Sequence, residues 1–151
     1  MVLVLAQTCN MRCVYCLGGG GEYGRPGMMS EETALAAVDW LFESSLDAKR
    51  VQVSFAGGEP LLAFPLLRRV VAYAKQHAAA RGKAVSFALT TNGGLLTDRV
   101  VAFLAEEGIT PVISFDGSAA VQDGQRPFRN GRGSYRRVRT MCGSCSPSCP
   151  A

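Results

Sequence analysis

The chain has 151 residues, a formal net charge of +4, 48% hydrophobic residues and 19% charged residues. This length and composition suit one domain with a sizeable core and exclude a disordered chain. No apolar stretch approaches the roughly 20 residues that cross a membrane, and the N-terminus lacks the basic region and small-residue cleavage site of a secretory signal, so a cytoplasmic, reducing location is expected.

Taken in chain order, the pattern alternates strand and helix. Residues 2–6, VLVLA, read as a continuous apolar strand that runs into Cys9, Cys13 and Cys16. Ser30 is placed to cap a helix over about 31–45, with Glu31 and Glu32 favourable in its first turn and Leu35, Val38 and Phe42 on one face. VQVSFA at 51–56 is a second strand. A second helix starts near Pro65, buries Leu67, Val70, Val71 and Ala74, and ends at Gly82. VSFALT at 85–90 is a third strand. Thr97 caps a third helix that carries Val100, Val101 and Leu104 and stops at Gly108. PVISF at 111–115 is a fourth strand.

Apolar strands separated by helices imply an α/β fold with a parallel sheet of about four strands and flanking helices. Right-handed crossovers allow two architectures, an open doubly wound sheet or part of an α/β barrel, and periodicity does not separate them. Both put ligand chemistry at the carboxyl ends of the strands. The unusual motifs fall there. The first strand leads to the cysteine loop, the second to Gly57-Gly58-Glu59-Pro60, the third to Thr91-Asn92-Gly93-Gly94, and the fourth to Ser114-Phe115-Asp116-Gly117. Gly57 and Gly58 carry no side chain, which would let a ligand approach the backbone with Glu59 facing it; taken alone, Gly-Gly-Glu-Pro reads as an ordinary tight turn.

In a reducing compartment, clustered cysteines bind metal more often than they pair. Thiolates suit zinc, copper(I) or iron–sulfur clusters. Structural zinc takes four protein ligands, whereas this loop offers three, and His77, the single histidine, lies on a helix away from the strand ends. A cubane cluster normally takes four cysteines, so three leave one iron open to a non-protein ligand. Gly18 to Gly21 do not make a phosphate loop, because Glu22-Tyr23 follows where Gly-Lys-Ser/Thr is required. The run Arg126, Arg129, Arg132, Arg136, Arg137 and Arg139 suits nucleic acid or phosphate in principle; a solvated basic segment is the preferred reading.

The loop Cys9-Asn10-Met11-Arg12-Cys13-Val14-Tyr15-Cys16 resembles the signature of the radical S-adenosylmethionine (SAM) enzymes. GGEPLL, LTTNGGLLT, ISFDG and RPFRNGRGSY extend the likeness over about residues 3–138, in the order found in the peptide- and protein-modifying branch. That branch includes anaerobic sulfatase-maturating enzymes and thioether-forming peptide maturases. The resemblance implies a partial (β/α)6 barrel and a [4Fe-4S] cluster held by Cys9, Cys13 and Cys16, with SAM chelating the open iron. It implies Tyr15 near the adenine and Gly57, Gly58 and Glu59 at the methionine moiety. Ser114 and Arg126 would take the ribose or carboxylate end, with Asn92 in support. It further implies a peptide or protein substrate and a reduced flavodoxin or ferredoxin-type electron donor, with no nucleic acid and no membrane. Two departures, Ser118 in place of proline and Gln122 in place of histidine, read as loop positions. The family barrel has about six βα units against about four here, so the chain reads as a portion of a longer enzyme. The other functional class is a non-catalytic iron–sulfur or zinc module, or an inactive fragment. The division expected is an incomplete barrel core at 1–139 and a Cys-, Ser- and Pro-rich tail at 140–151. The composition of the tail builds no helix, and it is expected to be disordered even though Cys142, Cys145 and Cys149 invite a second-cluster reading.

Overall fold

The computed structural model describes residues 1–145, with side chains described to residue 141. Five strands are β1 (Val2–Gln7), β2 (Gly27–Met28), β3 (Arg50–Gly57), β4 (Ala84–Thr91) and β5 (Thr110–Ile113). Five helices are α1 (Glu31–Ser44), α2 (Phe64–Ala80), α3 (Asp98–Glu106), α4 (Ala119–Gln125) and α5 (Tyr135–Cys145). A short 3-10 turn, Pro60–Ala63, precedes α2.

The capping chemistry sets the helix starts. Ser30 accepts the Thr33 N–H at 3.1 Å and Thr97 accepts the Val100 N–H at 3.3 Å, each satisfying an otherwise orphaned amide. One stripe of each helix is then buried: Ala34, Val38 and Phe42 on α1, Leu67, Val70, Val71, Ala74 and Ala78 on α2, and Val100 and Leu104 on α3. These stripes meet Leu3, Leu5, Val51, Val53, Phe55, Phe87 and Leu89, which are alternate residues of β1, β3 and β4, in one apolar core. Phe55, 1% exposed, stacks on Phe87 at 6.1 Å between ring centroids.

The sheet order is β2-β1-β3-β4-β5, with β1, β3, β4 and β5 all parallel and the two-residue β2 antiparallel to β1. The parallel strands therefore follow chain order without reversal. Each right-handed crossover lands its helix on the same face. The opposite face stays open, with Val2, Val4 and Val112 at 62%, 38% and 61% exposure. A doubly wound sheet reverses direction and is covered on both sides, so this arrangement is the arc of a barrel.

Three details depart from the sequence expectations. The polar segment after β5, where the sequence pattern marks no element, contains α4. Ser118 caps that helix, and Gln122 is a fully buried helical residue. Gln122 accepts the Asp116 N–H at 2.8 Å and donates to Ser134 Oγ at 2.9 Å, which ties the end of β5 to the start of α5. The tail boundary also moves. Helix α5 crosses residues 139 and 140 and continues to Cys145, anchored by buried Val138 and Met141. A helix already nucleated propagates through Thr140 to Cys145 despite their composition. The disorder expected at 146–151, and the side chains of Cys142, Cys145 and Cys149, lie outside the described residues. Among the described residues no helix is long and apolar enough to cross a membrane.

Candidate functional site

The four parallel strands deliver their motifs to one cleft. Cys9, Cys13 and Cys16 line it with Tyr15 from the loop after β1, and Gly57 and Gly58 from the end of β3. Asn92 comes from the end of β4, Ser114 from the end of β5, and Arg126 from the end of α4. Met11, Tyr23, Thr90 and Thr91 also line it; Met11, Thr90 and Thr91 lie within the sequence motifs, but none of the four was singled out as a site residue.

The cysteine loop is braced on two sides. On one side, residues 10–14 run antiparallel to 125–129. Arg12 N–H donates to the Pro127 carbonyl at 2.8 Å, Val14 N–H to Gln125 at 2.9 Å, and Arg129 N–H to Asn10 at 3.1 Å. Buried Met11 packs with Val138, Phe115 and Phe128 behind Cys9 and Cys13. On the other side, the Gly57-Gly58 turn is bonded to the entry of the loop. Gly58 N–H donates to the Ala6 carbonyl at 2.8 Å and Glu59 N–H to Thr8 at 2.9 Å. A Cβ on Gly57 would lie 2.4 Å from Ala6 O, and one on Gly58 would lie 2.2 Å from Thr8 O. The glycines are thus required by a close approach of the chain's own backbone, and Gly57 also has φ +135°.

Glu59 departs from expectation. Its carboxylate is fully buried and does not line the cleft. Oε1 accepts from Leu61 N–H at 3.0 Å and Thr91 Oγ1 at 2.8 Å, and Oε2 accepts from Asn92 N–H at 2.8 Å. Burial pushes the carboxyl above its usual range, opposed by these three donors. Glu59 clamps the end of β3 to the end of β4 beneath the cleft instead of facing into it.

At the mouth, Tyr15 donates to Asp116 Oδ2 at 2.6 Å, and Arg126 Nε sits 3.0 Å from the same oxygen. The Arg126 guanidinium lies over the Tyr15 ring, 5.1 Å from its centroid. Burial, reinforced by the Asp116 hydrogen bond, pushes the Tyr15 hydroxyl up to about 12. Burial works to raise the Asp116 carboxyl, but Tyr15 and Arg126 outweigh it and hold the group below the usual carboxylate range. Asp116 stands in the Ser114-Phe115-Asp116-Gly117 motif at the end of a strand, but sequence reasoning gives it no role, so its part here was missed. The arginine run resolves largely into struts. Arg126 pairs with Asp116, Arg129 with Glu22, and Arg137 bonds the Gly94 and Leu96 carbonyls.

The thiols suit a soft metal. Burial raises the Cys9 thiol, opposed by N–H groups of Met11 and Asn92; burial also raises Cys13, opposed by Arg126. Such thiols are protonated near neutrality and release protons as a soft cation binds. Among the described residues, no three Cys, His, Asp or Glu groups gather closely enough to hold a single metal ion. The three thiols share one cleft.

The model of the radical SAM superfamily matches residues 3–143. The chain belongs to the radical SAM superfamily. A relative in Methanocaldococcus jannaschii, an uncharacterized protein, is 31% identical over 89% of this chain and 44% of its own length. The serine-type anaerobic sulfatase-maturating enzyme of Klebsiella aerogenes is 27% identical over 87% of this chain and 32% of its own. The solved structure of native anSMEcpe with bound AdoMet and Cp18Cys peptide superimposes with a TM-score of 0.83 at 22% identity, over 95% of this chain and 38% of that one. This radical SAM chain therefore spans less than half the length of these relatives, and the structural likeness concerns the fold.

Proposed function

We propose that the chain is the cofactor-binding portion of a radical SAM enzyme that modifies a peptide or protein side chain. Cys9, Cys13 and Cys16 would hold three irons of a [4Fe-4S] cluster, leaving the fourth open to SAM. When bound, the cluster and SAM supply a 5′-deoxyadenosyl radical that takes a hydrogen atom from the substrate. The protein's part is to bind, orient and exclude water. Met11, Phe115 and Phe128 form the apolar wall behind the thiols. The Gly57-Gly58 backbone forms the wall beside them, facing the methionine moiety. Asp116 fixes both Tyr15 and Arg126, so that the ring is ready for an adenine and the guanidinium for the ribose or carboxylate end. A peptide substrate accords with the sulfatase-maturating relatives, and a reduced flavodoxin or ferredoxin-type protein is the proposed electron donor.

The observation that carries this reading is three thiols of one short loop lining a cleft with the ends of four adjacent parallel strands. Anaerobic reconstitution tests it. About four irons per chain, lost in Cys13→Ala together with SAM cleavage, is the expected result. A colourless protein holding one zinc and leaving SAM intact would overturn it. About eight irons, halved by Cys145→Ala, would instead show that the tail cysteines carry a second cluster.

A further inference from the structure

We infer that Asn92 is a positioning residue for the thiolate of Cys9 and thereby sets the reduction potential of the cluster; the inference rests on the [4Fe-4S] reading above. Asn92 Nδ2 lies 3.4 Å from Cys9 Sγ and 2.8 Å from Asn10 Oδ1. An amide nitrogen carries two hydrogens, so the two contacts can be made together, one hydrogen to each acceptor. The side chain has little freedom to do otherwise. It is 7% exposed, its Oδ1 accepts the Gly94 N–H at 2.9 Å, and its backbone N–H is held by Glu59 Oε2 at 2.8 Å. The Met11 N–H approaches the same sulfur at 3.4 Å from the other side of the loop.

A buried chain of polar contacts thus runs from the Glu59 carboxylate at the end of β3, through Asn92 at the end of β4, to a metal ligand after β1. Its direction is fixed by donor chemistry. Once Cys9 is a thiolate it is an acceptor only, and the Asn92 amide points a donor at it. Reduction adds negative charge to the cluster, which the sulfur ligands share. A donor aimed at a ligand sulfur therefore stabilises the reduced form more than the oxidised form and raises the potential. Asn92 then eases entry of the electron without touching SAM.

The test is an EPR-monitored redox titration of the reconstituted chain as wild type, Asn92→Leu and Asn92→Asp. Leu removes the donor while keeping the branching and the number of side-chain heavy atoms. Asp keeps the acceptor for Gly94 N–H but turns a carboxylate toward the thiolate. The expected result is a midpoint shifted to more negative potential in both, further in Asp than in Leu, with the iron content of wild type. Midpoints equal to wild type in both variants would overturn the inference. Should either variant lose iron, the wild-type fold supplies the second measurement. Pulsed EPR of the reduced wild-type cluster with 15N-labelled asparagine is expected to show a coupling from the Asn92 amide that persists in Asn10→Ala, and its absence from both would overturn the inference. Failure of the cubane reading is distinct, because the wild type itself would then give no cluster signal.

Discussion

Replacing Glu59 separates a buried clamp from a ligand-facing carboxylate. In Glu59→Ala three donors, Leu61 N–H, the Thr91 hydroxyl and Asn92 N–H, lose their acceptor in a site with no access to water. Each orphaned donor costs about 1–3 kcal/mol, while relief of a buried charge offsets part of the sum, leaving a net loss of roughly 2–4 kcal/mol. Glu59→Gln keeps one oxygen but turns an amide N–H toward Asn92 N–H, for a loss of about 1–3 kcal/mol. Against a total stability of about 5–15 kcal/mol for a domain, either change is easily measured. The assay is urea unfolding of the cluster-free protein, read as a shift in midpoint at constant slope.

The pH dependence adds a sign. The folded carboxyl is raised, so between the unfolded value and the raised folded value the folded state binds more protons than the unfolded state. The contribution of Glu59 to stability therefore falls as pH rises through that window, and Glu59→Gln removes this slope. A carboxylate facing a ligand would behave differently: Glu59→Ala would leave the unliganded fold as stable as before and weaken SAM binding alone. A loss below about 1 kcal/mol in Glu59→Ala would refute the clamp.

Two further outcomes follow from the same geometry. Gly58→Ala places a Cβ 2.2 Å from the Thr8 carbonyl oxygen, a backbone atom, so the turn and the cysteine loop must part. Anaerobic reconstitution of this variant is expected to give little bound iron, and iron content equal to wild type would contradict the close packing. Asp116→Asn removes one cause of the raised Tyr15 hydroxyl, so that group should titrate below about 12, read as tyrosinate absorbance after subtraction of a Tyr15→Phe titration. An unmoved titration would show that burial alone holds Tyr15.

Much of this was legible in the sequence where one residue type has one physical use. The buried positions of α2 follow from its apolar spacing, and the motif-bearing loops follow the strands because parallel sheets place chemistry there. What escaped was long-range pairing. Nothing local marks residues 125–129 as partners of 10–14, because the bonds are made by backbone groups that every residue carries. Gln122 read as a loop residue because α4 is short and lacks an apolar stripe long enough to register. Glu59 misled for a related reason. A carboxylate beside two glycines looks available to a ligand, and only the fold shows that Leu61, Thr91 and Asn92 already occupy it.

The order of the strands explains why these contacts coincide. Since β1, β3 and β4 are adjacent and parallel, each ends beside the next, and the loops they release are neighbours in space as well as in sequence order. The cysteine loop ends up with no regular secondary structure of its own and borrows its shape from what surrounds it. Gly58 and Glu59 bond its entry from β3, Asn92 bonds its first cysteine from β4, and residues 125–129 bond its middle. Substitutions far along the chain, at Gly58, Asn92 or Glu59, should therefore act on the proposed metal site as directly as changes within the loop. The stiffness needed to hold three thiols for a cluster comes from the barrel arc, and a loop of the same sequence in isolation would have none of it.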